Sequence, residues 1–128
     1  MQIGIIGLGD MGKLYAQNFV IAGYKVCGAD IPSRYNQLTE ELAPKGIEVL
    51  NDGHEVSRRS DFIIYCVEAE KIDEVVAEFA QSTKYGAIVG GQTSVKHPEI
   101  AAFEKHLPKE TQIVTCHSLH GPAFSPEG

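Results

Sequence analysis

The sequence of 128 residues is 43% hydrophobic and 22% charged, which is the length and composition of a single globular domain. No apolar run approaches the roughly 20 residues that a membrane-spanning helix needs, so we expect no membrane contact. The formal net charge of −6 argues against nucleic-acid binding, which requires a basic stripe, but it does not exclude a phosphate ligand held by a few local donors.

The chain opens with a short apolar strand, IGII over residues 3–6, followed directly by GLGDMG over residues 7–12. A G-x-G-x-x-G run between a strand and a helix is the dinucleotide-binding fingerprint in its required context. The first glycine should make the tight turn, the second should let a pyrophosphate approach the backbone, and the third should let the helix pack against the sheet. The predicted cofactor-binding residues here are Gly7, Leu8, Gly9, Asp10, Met11 and Gly12.

Strands and helices alternate along the whole chain. Hydrophobic periodicity and turn signals predict strands over 2–6, 25–30, 47–50, 61–67, 87–90 and 112–116. They predict helices over 11–22, 32–43, 52–56, 72–80 and 98–107. The first helix should bury a stripe of Leu14, Tyr15, Phe19 and Ala22 and should stop at Gly23.

This alternation predicts an α/β fold: a Rossmann-like, doubly wound parallel sheet with helices on both faces. The whole of residues 1–128 is then one dinucleotide-binding domain. Ligands of such sheets bind outside the carboxyl ends of the strands, so the candidate site residues are sought there.

The second predicted strand ends at Asp30, about 20 residues after the fingerprint, where an acidic side chain usually accepts hydrogen bonds from the adenosine ribose of NAD. Ser33 and Arg34 follow at once, and a hydroxyl and a guanidinium there could instead hold the 2′-phosphate of NADP. Arg34 could equally be a solvated charge at a helix start. The residue types alone leave the choice between NAD and NADP open.

Two further loops leave the sheet at this edge. Val67 and Glu68 follow the fourth predicted strand and should line the cofactor mainly through their backbone, with Glu68 a solvated carboxylate rather than a catalytic acid. The run GGQTSVK over residues 90–96 supplies Gln92, Thr93 and Ser94 near the expected nicotinamide, although its hydroxyls could equally cap the helix that begins at Pro98.

The last predicted strand ends in CHSLHGP over residues 116–122. This spacing matches no standard zinc site, so we expect no metal there. A neutral imidazole at a strand end beside a nicotinamide is better suited to accept a hydroxyl proton, since its pKa lies near about 6.5. His54, His97 and His106 fall in loop or helix positions and are expected at the surface. The odd number of cysteines, three, predicts free thiols in a reducing compartment.

With these motifs in view, the chain resembles the N-terminal half of a prephenate dehydrogenase of the fungal, tyrosine-synthesising type. The resemblance covers essentially all residues and rests on IIGLGDMG at 5–12, SDFIIY at 60–65, IVGGQTS at 88–94 and HSLHGP at 117–122. It implies oxidative decarboxylation of prephenate to 4-hydroxyphenylpyruvate and CO2, with NADP as oxidant. In bacterial relatives the run H-x-x-x-G supplies the catalytic hydrogen-bond acceptor, and His117 with Gly121 fits that spacing.

Other implications concern the rest of the family pattern. Bacterial relatives carry Q-x-S-x-K, whose serine orients the histidine and the substrate; Gln92, Ser94 and Lys96 fit it, while Ser118 replaces a proline of those relatives. The resemblance therefore implies His117 and Ser94 as catalytic residues. The family also has a helical C-terminal domain that dimerises and contacts the substrate carboxylates, and it lies outside these 128 residues. The isolated chain should accordingly bind nucleotide with little turnover.

Two other interpretations remain open. A β-hydroxyacid or 6-phosphogluconate-type dehydrogenase shares G-L-G-x-M-G, and a non-catalytic NAD(P)-binding module would need only the fingerprint. The chain begins Met1-Gln2 and then a strand, which predicts no signal or transit peptide and a cytoplasmic location.

Overall fold

The computed structural model describes residues 1–68, 70–91, 102–103, 105–107 and 111–115. Its strands form one parallel sheet in the order β3-β2-β1-β4-β5-β6. The strands are β1 (Gln2–Ile6), β2 (Lys25–Ala29), β3 (Ile47–Val49), β4 (Phe62–Tyr65), β5 (Ile88–Gly91) and β6 (Gln112–Thr115). The strand order reverses direction between β1 and β4, which is the position where doubly wound sheets bind their ligands. The predicted fold class is therefore confirmed.

Helices connect successive strands. They are α1 (Asp10–Ile21), α2 (Tyr35–Leu42), α3 (Gly53–Arg59) and α4 (Ile72–Ala80), with 3-10 turns at Pro32–Arg34 and Ala43–Lys45. Residues 102–103 and 105–106 are also helical, within the helix predicted over 98–107, whose ends lie outside the described residues. No helix among the described residues is long and apolar enough to cross a membrane.

Two hydrophobic cores cover the two faces of the sheet. Alternate residues of β1 and β4 point to opposite sides, because side chains in a strand alternate between faces. Ile3, Ile5 and Ile64 pack with residues of α1 and α2. Ile6 and Ile63 pack on the other face with residues of α3 and α4. Helices thus lie on both faces, as the continuous apolar runs of β1 and β4 predicted.

Some predicted boundaries were wrong. Helix α1 begins and ends one residue earlier than predicted, and its Leu14 is 45% exposed while Tyr15 and Ala16 are buried. Ala22 is also exposed, so of the predicted stripe Tyr15 and Phe19 pack against the core, whereas Leu14 and Ala22 do not. Strand β4 ends at Tyr65, so that Cys66 and Val67 belong to the following loop.

Helix α3 is longer than the predicted short turn. Asp52 caps it by accepting a hydrogen bond from the backbone N–H of His54 at 2.9 Å, and Val56 is fully buried. A side-chain cap and a buried apolar residue both favour helix continuation, and here the helix reaches Arg59.

Asp61 joins the opposite, amino-terminal edge of the sheet. Its carboxylate accepts hydrogen bonds from the backbone N–H of Gln2 at 2.9 Å and from Lys84 Nζ at 2.5 Å. The backbone hydrogen bond, followed by the Lys84 hydrogen bond, holds the pKa of Asp61 below its ordinary value. Asp61 therefore lies at the edge opposite to the carboxyl ends of the strands, where the loops form the candidate site.

Candidate cofactor site

In the glycine-rich loop between β1 and α1, two glycines pack so closely against backbone atoms that a Cβ would not fit. Gly7 has a φ of +100°, and a Cβ there would overlap the carbonyl oxygen of Cys66. A Cβ on Gly12 would overlap the carbonyl oxygen of Gly7, so only glycine lets α1 start directly above the end of β1. The predicted roles of these two glycines, in the turn and in helix packing, match this geometry.

The outer side of the same loop is open. A Cβ on Gly9 would meet no atom of the described residues within 4 Å. Gly9 is also the residue before α1, and no described side chain caps that helix. An open backbone surface at an uncapped helix start, where peptide N–H groups and the helix dipole favour negative charge, fits a pyrophosphate. Asp10 is exposed beside it and Met11 is half-buried.

The loop after β2 holds this glycine loop in place. Asp30 Oδ2 accepts the backbone N–H of Leu8 at 2.7 Å, and Oδ1 accepts the backbone N–H of Ile31 at 2.7 Å. Arg34 Nη1 lies 3.0 Å from Asp30 Oδ2 and 3.4 Å from the carbonyl oxygen of Leu8. Both polar groups of Leu8 are thus contacted from one side by this loop.

Arg34 is therefore not the freely solvated charge considered as one alternative. Its side chain is 30% exposed and that of Asp30 is 17% exposed. The guanidinium has five N–H donors, and among the described residues only Nη1 has partners, which leaves Nε and Nη2 to contact a ligand. Ser33 is exposed next to it.

A cleft of about 520 Å³ lies at the carboxyl ends of β1, β2 and β4. Its lining includes the apolar side chains of Ile31, Pro32, Val67, Val75 and Phe79 together with Gly7 and Asp30. A mixed lining of apolar side chains and a few polar groups suits a flat, partly polar ring system such as a purine. Val67 lines the cleft, and Glu68 is exposed, as a solvated carboxylate would be.

His54 lines the same cleft and was wrongly predicted to be a surface residue. Its side chain is 22% exposed, with Nδ1 at 2.6 Å from Ser82 Oγ and Nε2 at 2.8 Å from Glu78 Oε2. Its ring meets Phe79 edge-on, with centroids 4.8 Å apart. No sequence pattern links residues 54, 78 and 82, because their proximity requires α3 to lie beside α4. His106 is also half-buried, at 3.2 Å from Asp73.

An ion pair joins the two helices that flank the glycine loop and the β2 loop. Lys13 Nζ of α1 lies 2.8 Å from Glu41 Oε1 of α2. The hydrogen bond from Lys13 lowers the pKa of Glu41 below its ordinary value, and the charges of Lys13, Lys45 and Arg34 act in the same direction. Glu41 consequently remains ionised as the pH falls into the acid range.

The remaining predicted site residues, Gln92, Thr93, Ser94 and His117, lie outside the described residues, as do Cys116 and His120. Strands β5 and β6, which precede them in the chain, end side by side with Gly91 paired to Thr115.

Residues 2–115 match the family described as the NAD binding domain of 6-phosphogluconate dehydrogenase. The chain belongs to this NAD-binding domain family. The match covers the glycine loop, the β2 loop and the residues that line the cleft.

Two fungal relatives share more than half of their aligned residues with this NAD-binding domain. Schizosaccharomyces pombe "Probable prephenate dehydrogenase [NADP(+)]" is 53% identical over 126 residues, 98% of this chain and 29% of the relative. Saccharomyces cerevisiae "Prephenate dehydrogenase [NADP(+)]" is 56% identical over the same share of this chain and 28% of its own length. The chain therefore spans less than a third of these relatives.

Solved structures share the fold of this NAD-binding domain at low identity. A 3-hydroxyisobutyrate dehydrogenase of Mycobacterium tuberculosis has a TM-score of 0.72 and 19% identity, covering 89% of this chain and 39% of that one. A Synechocystis arogenate dehydrogenase has a TM-score of 0.67 and 20% identity, covering 80% and 38%. These likenesses establish the architecture alone.

Proposed function

We propose that this chain is the NADP-binding domain of a prephenate dehydrogenase that acts in tyrosine synthesis. The observation that carries the proposal is identity of more than half of the residues over 98% of the chain with two fungal relatives of that name. The match spans 126 of the 128 residues in both relatives.

In this proposal the cofactor lies along the carboxyl edge of the sheet. The pyrophosphate meets the backbone at Gly9 and the start of α1, and the adenine enters the cleft between Ile31 and Val75. The free N–H donors of Arg34, supported by Ser33, receive the 2′-phosphate, because a guanidinium fork matches phosphate oxygens. Val67 and Glu68 follow β4 on the other side of the cofactor.

The reaction itself needs few protein groups. When bound, NADP+ would supply the acceptor for the hydride that leaves the hydroxyl-bearing ring carbon of prephenate. His117 accepts the hydroxyl proton, and Ser94 orients that imidazole. Loss of the ring carboxylate as CO2 then makes the ring aromatic, and the phenol oxygen regains a proton. Gln92 and Thr93 position the nicotinamide, so that the protein contributes mainly orientation.

The complete enzyme in this proposal has more than one domain. Its further length supplies a helical C-terminal domain that dimerises and holds the carboxylates of prephenate, which is consistent with the chain spanning less than a third of the fungal relatives. We further propose a cytoplasmic enzyme that binds no metal in this domain.

The direct test is an assay of the full-length gene product with NADP+ or NAD+ and three substrates: prephenate, 3-hydroxyisobutyrate and 6-phosphogluconate. We expect NADPH formation from prephenate, and little from the two hydroxyacids, which serve as controls for the related dehydrogenase classes. Turnover of a hydroxyacid in preference to prephenate would contradict the proposal.

A second test separates an enzyme from a non-catalytic binding module. His117→Asn in the full-length protein should lower turnover of prephenate by roughly 100-fold or more, because it removes the proton acceptor. Affinity for NADPH, measured by calorimetry, should stay close to wild type. Unchanged turnover would remove His117 from the mechanism.

A further inference from the structure

The inference concerns Asp30, which occupies the position where an acidic side chain ordinarily accepts the ribose hydroxyls of NAD. A carboxylate offers about four acceptor positions, two on each oxygen. Oδ2 is occupied by the backbone N–H of Leu8 and by Arg34 Nη1, and Oδ1 by the backbone N–H of Ile31. One position is left, whereas a ribose diol that binds through both hydroxyls needs two.

The charge at this position is also balanced. Asp30 Oδ2 and Arg34 Nη1 are 3.0 Å apart, so the pair presents little net charge. A phosphate on the 2′-hydroxyl carries between one and two negative charges, and an unpaired carboxylate there would repel it. The guanidinium cancels that repulsion while its Nε and Nη2 donors stay free among the described residues.

The pair further restricts where the guanidinium can lie. An arginine side chain has many rotamers, and fixing it for a ligand costs rotamer entropy. Here Nη1 is held by Asp30 and by the carbonyl oxygen of Leu8, beside the glycine loop that meets the pyrophosphate. Part of that ordering is complete before the ligand arrives.

We propose that Asp30 is a positioning residue that holds Arg34 in place for the cofactor 2′-phosphate and so favours NADPH, the reverse of the preference for NAD that an acidic residue at this position usually signals. This inference rests on the proposed use of NADP.

The test compares two nucleotides that differ only at the 2′ position, 2′,5′-ADP and 5′-AMP, titrated calorimetrically into the full-length protein. Asp30→Asn should weaken 2′,5′-ADP by about tenfold, a loss typical of a hydrogen bond between charged groups. It should change 5′-AMP much less. Arg34→Ala should remove the preference for 2′,5′-ADP, and adding Asp30→Asn to it should cause no further loss of that preference.

Two further variants serve as controls for this test. Asp30→Ser replaces the carboxylate with a shorter, neutral hydroxyl that cannot form an ion pair with the guanidinium, so it should show the same selective loss. Glu48→Gln breaks another arginine–carboxylate pair, 3.0 Å to Arg59 Nη2 and outside the cleft, and should leave both affinities unchanged. A collapse of the glycine loop would instead weaken both nucleotides equally, and that result would overturn the inference.

The remaining outcomes are also decisive. If wild type does not prefer 2′,5′-ADP, the proposed NADP function is wrong and the inference fails with it. If wild type does prefer it but Asp30→Asn binds 2′,5′-ADP as well or better, the function stands and the inference is wrong. A selective loss of 5′-AMP and NADH affinity would make Asp30 an ordinary ribose acceptor.

Discussion

At the scale of single residues, the glycine loop contains one glycine that the fold requires and another that the fold does not require. Gly12 is in contact distance of the Gly7 carbonyl, so its missing Cβ is required by the protein itself. Gly9 faces open space among the described residues, so its missing Cβ is not required by the fold; in the proposed function it gives the pyrophosphate room. The two positions lie three residues apart, and alanine should lower stability at Gly12 but NADPH affinity at Gly9.

Gly12→Ala should destabilise the fold by about 1–3 kcal/mol, because the new methyl group overlaps the Gly7 carbonyl and forces α1 away from β1. Gly9→Ala should change the free energy of unfolding by less than about 0.5 kcal/mol, since its φ of −78° suits alanine and its Cβ meets nothing.

Urea unfolding measures the stability of both glycine variants, and NADPH titration measures their affinity. Gly9→Ala should bind NADPH at least about tenfold more weakly while staying folded, because the methyl group occupies the space of the pyrophosphate. Full NADPH affinity in Gly9→Ala would argue against pyrophosphate binding at this surface.

At the scale of secondary-structure elements, α3 and α4 are joined by the contacts of His54 with Glu78 and Ser82. His54→Ala should lower the melting temperature, with a loss of about 1–2 kcal/mol from the two hydrogen bonds and the Phe79 ring contact. Glu55→Ala, on the exposed side of the same helix, is the matched control and should change stability little. Equal melting temperatures for His54→Ala and the control would contradict this role.

Asp61 makes a pH-dependent link between β1, β4 and the Lys84 loop. Its pKa is lowered in the folded state, so its contribution is complete above the ordinary carboxyl value of 3.8 and is lost as the pH falls through the lowered folded value. Asp61→Ala should therefore cost about 1 kcal/mol at pH 7, a figure already reduced for solvent screening of a side chain that is 39% exposed.

Thermal melting across pH 2 to 7 checks this link. The variant should lose less stability on acidification than wild type, although Glu41 contributes a decline of the same sign. Lys84→Ala removes only the surface ion pair and should have the smaller effect, because the backbone hydrogen bond of Gln2 remains. An identical acid decline in Asp61→Ala and wild type would contradict the assignment.

The elements themselves were largely predictable, and the contacts between them were not. Strand β4 was predicted three residues too long, two of them at its carboxyl end, because apolar character continues through Val67, which lines the cleft after the strand has ended. Hydrophobicity cannot distinguish a strand residue from one that lines a cleft. The glycine fingerprint placed one half of the site. The Leu8 N–H that donates to Asp30 lies 22 positions away, and the partners of His54 lie 24 and 28 positions away, so these contacts depend on strand order. Periodicity carries no information about that order.

At the scale of the whole molecule, the 128 residues contain both hydrophobic cores and the described cofactor edge, whereas the fungal relatives are more than three times longer. This chain expressed alone should bind NADPH and gain about 2.7 kcal/mol of stability at a ligand concentration 100 times Kd. A shift in melting temperature with NADPH, larger than with NADH, measures it. Rapid formation of NADPH from prephenate by the isolated chain would contradict the expected need for a second domain.

The pairing of Asp30 with Arg34 has an evolutionary consequence. The carboxylate that serves NAD-dependent enzymes is still present, covered by a guanidinium four residues along the chain. Under the proposed role of Arg34, its loss by a single codon change returns one acceptor position of Asp30 Oδ2 to the ribose. We therefore expect one substitution to shift the cofactor preference towards NADH while the hydrogen bond between Leu8 and Asp30 is kept.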